Sequence, residues 1–191
     1  MGGHAPAAGK LAIEIAGRPL LAWTLDLVRQ VFHGQLFVVL APDSLLEPLC
    51  LPVRAMPVVA NEAARGMAWS LRAGLAAVHA GSPSSGAIVL LGDDPLAALA
   101  LPELLSAIAA DDTRCAYIDR AGPLHPVYLP PGMVGGARPP GLAGTEDRGL
   151  RDLVLAAPGA RAVATTAPAP QDVDTPADLN RMALLLSAVR M

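Results

Sequence analysis

Apolar positions recur along this chain at two periods, and the two alternate. Residues 18–32 (RPLLAWTLDLVRQVF) carry apolar side chains at helical spacing, with Pro19 suited to a first turn, and predict a helix. Residues 35–40 (QLFVVL) form a short β-branched run that stops at Ala41-Pro42-Asp43, the pattern of a buried strand. A second strand is expected over 53–60, although Pro57 weakens it there. Helix is expected at 66–80, and 86–91 (GAIVLL) is the clearest buried strand, running into Gly92-Asp93-Asp94-Pro95. Beyond it come a helix at 101–110 and strands at 114–119 and 124–129 around a Gly122-Pro123 turn. A helix at 147–157, a strand at 160–165 and a final helix at 175–189 complete the pattern, the last with Thr175 as N-cap and Pro176 in its first turn.

Strands that alternate with helices imply an α/β, Rossmann-like three-layer sandwich with a mostly parallel central sheet. Ligands of such sheets bind beyond the carboxyl ends of the strands. The loops to inspect are therefore 61–66, 92–95 and 171–174. The 191 residues suit one domain, and no internal repeat or linker divides them.

Composition narrows the partners. The formal charge is −3, with no basic block, which argues against a nucleic-acid-binding arm and leaves room for a nucleotide. Apolar residues make up 53% of the chain, but the longest apolar stretch, 87–110, is broken by Asp93, Asp94, Pro95, Pro102 and Glu103. No uninterrupted run reaches the ~18 residues that a bilayer requires. Residues 1–10 lack the regions of a signal peptide, and Cys50 and Cys115 have neither metal-ligand nor redox spacing. These features lead us to expect a cytoplasmic protein with reduced thiols and no membrane partner.

Four places could carry chemistry. A wholly apolar strand delivers Asp93 and Asp94 at its carboxyl end, where a carboxylate suits Mg²⁺, which takes one or two carboxylates plus substrate phosphates. The same residues could equally cap the following helix. Asp172-Val173-Asp174 puts two carboxylates on one side of an extended segment; together with Asp93 they could hold one metal ion, or they could simply precede the cap at Thr175. Residues 61–72 (NEAARGMAWSLR) lead through Gly66 into a helix whose exposed N–H groups suit an anion or a base edge, or form a plain loop and helix. Lys10 is the single lysine among 14 cations, and a compact ammonium retained once in an arginine-using chain hints at a phosphate contact. His125 reads first as a hydrogen-bonded strand residue, and His4, His33 and His79 form no spaced metal set.

Taken in order, the motifs resemble the MobA-like nucleotidyltransferases, which include the molybdenum cofactor guanylyl- and cytidylyltransferases. Lys10-Leu11 through Gly17-Arg18-Pro19-Leu20-Leu21 is similar to the family's "K-L-L…G-x-P-L-L". Asn61 with Gly66-Met67-Ala68-Trp69-Ser70-Leu71-Arg72-Ala73-Gly74-Leu75 is similar to "N…G-M-x-x-S-L-x-A-G-L". Leu90-Leu91-Gly92-Asp93-Asp94-Pro95 resembles "L-L-G-D-x-P", and Gly122 with His125-Pro126-Val127 resembles "G-H-P-V". Asp147-Arg148-Gly149-Leu150-Arg151 resembles "G-D-x-G-A-R", and Asp172-Val173-Asp174-Thr175-Pro176 with Asp178-Leu179 resembles "D-I-D-T-P-x-D-L". The Ser-Leu-Arg-Ala-Gly-Leu and Asp-Arg-Gly-Leu-Arg blocks lean toward the cytidylyltransferase branch.

The resemblance implies a fold of the nucleotide-diphospho-sugar transferase type. It also implies transfer of CMP or GMP from CTP or GTP to a phosphate-bearing acceptor, molybdopterin, with loss of pyrophosphate. On this reading Lys10 and Asp93 are catalytic, and Asp93, Asp172 and Asp174 hold Mg²⁺. Asn61, Gly66, Met67 and Ser70 contact the nucleotide, and His125 and Arg151 lie on the acceptor side. A molybdoenzyme or its chaperone would be the protein partner. The family opens on a strand and a loop of the form "L-A-A-G-x-S-x-R-M-G", of which Met1-Gly2-Gly3 matches only the tail, so residues 1–191 are expected to form a single domain that is N-terminally incomplete. Trp69 and Thr145-Glu146 also depart from the pattern. Two rival readings stay open: a relative that binds nucleotide or cofactor without turnover, and a transferase for another acceptor such as a sugar phosphate or phospholactate.

Overall fold

The computed structural model describes residues 9–119, 125–135, 150–169 and 176–189. The chain enters through a 3₁₀ turn, Lys10–Ala12, and a tight hairpin of β1 (Glu14–Ile15) and β2 (Arg18–Pro19). Its two-residue turn holds Ala16 at φ 50° and Gly17 at φ 74°, the doubly positive backbone that matches the twist of a hairpin. Trp23 Nε1 donates to the Ile15 carbonyl at 2.9 Å and locks the hairpin onto α1 (Leu20–Val31).

Among the described residues the sheet comes in two parts. β3 (Phe37–Leu40) pairs in parallel with β4 (Met56–Val59), with Val38 opposite Pro57. Pro57 is tolerated because β4 has no other neighbour among the described strands, and an edge needs no second donor. The larger part runs in the order β5 (Ala87–Val89), β7 (Val127–Leu129), β6 (Ala116–Ile118), β8 (Arg161–Val163). β6 and β8 are parallel, whereas β7 lies antiparallel to both β5 and β6. The expectation of a mostly parallel sheet thus becomes a mixed one. The physical reason is local: strands joined by a short connection return alongside each other, while parallel neighbours need a crossover.

Helices cover both faces. Ala116, Ile118 and Tyr128 pack against Leu104 of α3 (Leu101–Ala110), and Ile88 and Leu90 join the cluster built on α1 and on α6 (Pro176–Val189). The alternate positions, Ala87, Val89, Val127 and Leu129, face the other way. They meet Leu75 of α2 (Met67–Gly81), Val134 of the short α4 (Pro131–Val134) and Leu153 of α5 (Leu150–Leu155). The period-two switch along β5 and β7 therefore defines three layers, as the alternating pattern predicts. Helix α3 has the expected bounds, α2 is shifted by one residue, and the other predicted elements are found with shorter described spans. The 14–19 hairpin and α4 are additions, and the Gly122-Pro123 turn lies outside the described residues.

Candidate functional site

β5 ends in an apolar run whose loop carries the first candidate. Gly92 follows Leu91, and Thr24 Oγ1 on α1 donates to the Gly92 carbonyl at 2.7 Å, pinning the loop. A β-carbon at Gly92 would sit 3.1 Å from Leu11 Cδ2 and 3.2 Å from Leu21 Cδ1, so the absence of a side chain lets Leu11 seat closely. Seating Leu11 places its neighbour at the carboxylate: Lys10 Nζ lies 3.4 Å from Asp93 Oδ2, each side chain about one-third exposed (33% and 32%). An ion pair this open contributes at most about 1 kcal/mol to stability. Its consequence is placement, a lysine and a carboxylate held together just past a strand end with solvent access. Asp94 is buried and its backbone opens a 3₁₀ turn, Pro95–Ala100, with no side-chain cap bond. The capping alternative for this pair is not what the geometry displays.

The second candidate segment divides around α2. Gly66 precedes the helix at φ 130° and ψ 167°, a backbone region essentially restricted to glycine. Asn61 is exposed in the turn after β4 and lines a cleft of about 610 Å³ with Trp69, Arg72 and His79. Met67 is 57% exposed, and it and Ser70 turn instead toward an apolar slot between β3 and β5. The structure thus separates residues that the sequence grouped. It also adds a feature that sequence reasoning missed. The guanidinium carbons of Arg65 and Arg72 lie 3.7 and 4.6 Å from the Trp69 ring centroid, with Arg65 also paired to Glu62. The available signal was spacing for one of the two: Trp69 and Arg72 stand three apart on α2, whereas Arg65 ends the 3₁₀ turn before Gly66 and reaches the ring from outside the helix.

The remaining candidates are dispersed. His125 is buried, with Nδ1 3.5 Å from the Val89 carbonyl, and its ring lines the slot. Arg151 is exposed on the first turn of α5. Asp172 and Asp174 lie outside the described residues, as does Asp147. Among the described residues no three His, Cys, Asp or Glu side chains converge as a metal site, and no helix is long and apolar enough to cross a membrane.

The model of the MobA-like NTP transferase domain matches residues 1–163. The chain belongs to the MobA-like NTP transferase family. Membership makes it one of the nucleotidyltransferases and accounts for the ordered motifs from Lys10 to Arg151. A comparison with curated proteins finds no match. Among solved structures, Rv0371c from Mycobacterium tuberculosis H37Rv is 25% identical, with a TM-score of 0.68 over 96% of this chain and 93% of that one. A CMP:2-keto-3-deoxy-manno-octonic acid synthetase complexed with CTP is 14% identical, with a TM-score of 0.69 over 98% and 95% of the two chains. The molybdopterin-guanine dinucleotide biosynthesis protein A from Archaeoglobus fulgidus is 15% identical, with a TM-score of 0.61 over 98% and 96%. The last two likenesses are of fold, and that fold is the nucleotide-diphospho-sugar transferase type expected from the sequence.

Proposed function

We propose that this MobA-like chain transfers CMP or GMP from CTP or GTP to a phosphate-bearing acceptor, molybdopterin, and releases pyrophosphate. The observation that carries the reading is the Lys10–Asp93 pair at the end of β5, inside a family of nucleotidyltransferases. In the reaction an acceptor phosphate oxygen forms a bond to the α-phosphorus, and the bond from that phosphorus to the pyrophosphate oxygen breaks. The chain must align these atoms and offset the negative charge that gathers on them. Lys10 supplies a fixed ammonium for the phosphates. Asp93 offers an accessible carboxylate oxygen at a strand end, which fits Mg²⁺ bound by one protein carboxylate and completed by substrate phosphates and water. Such an ion supplies charge neutralisation. Asp172 and Asp174 are proposed as its further ligands, and Asn61, Gly66, Met67 and Ser70 as nucleotide contacts. His125 and Arg151 are assigned to the acceptor side, and a molybdoenzyme or its chaperone to product delivery.

The test is pyrophosphate release from CTP and GTP, with and without molybdopterin, as Mg²⁺ is titrated. Asp93→Ala and Lys10→Met should each lower turnover by about 10²–10³, the scale of removing one preorganised charge-stabilising group. Circular dichroism should stay unchanged and melting should shift little, since the pair is about one-third exposed. A fully active Asp93→Ala protein sinks the assignment. Mg²⁺-dependent nucleotide binding without pyrophosphate release overturns transfer in favour of a binding relative.

A further inference from the structure

The Lys10–Asp93 pair does not set its own geometry. Its side chains are about one-third exposed, and such a pair contributes at most about 1 kcal/mol. Holding a lysine side chain in one conformation costs up to about 2 kcal/mol. The 3.4 Å separation therefore depends on the backbones that carry the two residues. Both are tied to one stretch of α1. On the lysine side, the Ile13 amide donates to the Lys10 carbonyl at 3.1 Å, and the Leu20 amide donates to the Ile13 carbonyl at 2.9 Å. Trp23 Nε1 adds its bond to the Ile15 carbonyl. On the aspartate side, the β5 ladder ends at Val89, opposite Val127 and ahead of the Asp93 loop. Within that loop the Asp94 amide stands 3.5 Å from the Leu91 carbonyl, a long bond, whereas Thr24 Oγ1 reaches the Gly92 carbonyl at 2.7 Å. Residues 20–24 thus hold both partners of the pair.

The hydroxyl that makes the last of these bonds is not required by packing. Thr24 is buried, and among the buried side chains of α1 it is the one that carries a hydroxyl. Valine has the same shape and buries no polar atom, whereas a buried hydroxyl is costly unless it is bonded. A threonine inside a helix ordinarily turns its hydroxyl to the carbonyl four residues back. Here that carbonyl, of Leu20, is 3.4 Å away, and the single proton is better placed on Gly92 at 2.7 Å. What threonine adds at this position is a bond across 68 positions of sequence, to the residue immediately before Asp93.

We propose that Thr24 is a positioning residue: its hydroxyl fixes the Gly92 carbonyl and thereby sets Asp93 against Lys10 for nucleotidyl transfer. It touches neither nucleotide nor acceptor and acts through the loop. Its part in turnover rests on the function proposed above. Its part in setting the pair does not, and is read without nucleotide.

Lys10 is the single lysine of the chain, so reductive methylation with ¹³C-formaldehyde, which keeps the charge, gives one lysine signal in the carbon NMR spectrum. Asp93→Asn marks where that signal lies once the ion pair is broken. Thr24→Val should move the signal toward the Asp93→Asn position, and Thr24→Ser, which keeps the hydroxyl, should leave it at the wild-type position. In pyrophosphate release at saturating Mg²⁺, Thr24→Val should lower kcat about 10-fold with KM for CTP or GTP unchanged, a smaller loss than for Asp93→Ala because the carboxylate is displaced and not removed. Thr24→Ser should restore kcat. Should the valine variant fail to fold, Thr24→Ala, which suits a helix, carries the same measurements. An unmoved lysine signal in the variant without the hydroxyl overturns the proposal, as does an unchanged kcat in active protein. A loss that appears in KM alone, or that Thr24→Ser does not restore, also overturns it, since either would mark a packing role. If the wild-type protein releases no pyrophosphate while the lysine signals move as expected, the transfer reading falls and the setting of the pair by Thr24 stands.

Discussion

Two aliphatic regions of this chain read alike and are packed differently. In the β7–β6 ladder, Val127, Leu129, Ala116 and Ile118 are each 0% exposed. They have a neighbouring strand on each side and helices on both faces. In β5 and β3, Ile88, Val89, Phe37 and Val39 remain half-buried where the strands border the slot, although Ala87, Val38 and Leu40 are buried. An aliphatic run therefore encodes the demand for burial on two faces. It does not encode how many strands stand beside it. The lesson carries to the site, since the Lys10–Asp93 pair is hung on the incompletely packed strand and not on the closed ladder.

The largest effect that sharpens this contrast is a matched pair of truncations. Leu129→Ala removes a fully buried side chain with helix and strand around it, and should cost about 3–5 kcal/mol in urea unfolding, the upper range for core leucines. Leu90→Ala, on the slot wall, should cost about 1–2 kcal/mol, because less contact is lost and the space is already open to solvent. Equal costs would break the comparison.

Much of this was legible in the sequence, for identifiable reasons. GAIVLL gives β5, and the bounds of α3 follow from helical spacing after Pro95. The family fold followed from motif order. The proximity of Lys10 to Asp93 came only through resemblance, since 83 positions separate them and no local rule joins them; Leu11 seated on Gly92 is what closes the distance. The direction of β7 was not legible, because a short β-branched run is compatible with either direction, and pairing geometry is decided by the connection. The splitting of α2 into a Ser70 face and a Trp69 face is helical periodicity that motif matching overlooks. Neighbours in a motif string point to different sides of a helix.

The thiols give a smaller contrast between the same two regions. Cys115 is buried in the ladder cluster, and burial alone pushes its thiol up to about 11. Cys50 sits in the cluster around β3 and α1, its thiol also raised, first by burial and then by Glu47. Neither should react promptly with a thiol reagent at pH 8, because the thiolate is the nucleophile. Labelling must await opening. The two-stranded β3–β4 unit is the less buttressed, so Cys50 should label first and Cys115 only at the global unfolding rate. Simultaneous labelling, followed by mass spectrometry of the tryptic peptides, would show that the two regions open as one unit.

The smallest effect lies at the far margin of the closed ladder. Arg161 of β8 donates to the Ala107 carbonyl at 2.6 Å and to the Asp111 carbonyl at 3.4 Å, fastening α3 to the sheet edge. Asp111 in turn accepts from Thr113 Oγ1 at 2.6 Å and from the Thr113 amide at 3.0 Å. These two bonds, helped by Arg114 and Arg161, hold the Asp111 carboxyl below its ordinary value of 3.8. A group whose pKa is lowered on folding stabilises the native state above its unfolded pKa, and that contribution is lost as pH falls through the folded one. Thr113→Ala removes the larger bond and keeps the amide. The carboxyl should titrate closer to 3.8, which carbon-detected NMR of the aspartate side chain reads directly. Wild type and variant should differ slightly in stability at neutral pH and converge at acid pH, with the slot residues unaffected. A chemical-shift change at Val39 or Val89 in this variant would mean that the ladder and the slot are energetically joined, and that the open strand edge is felt at the opposite margin of the sheet.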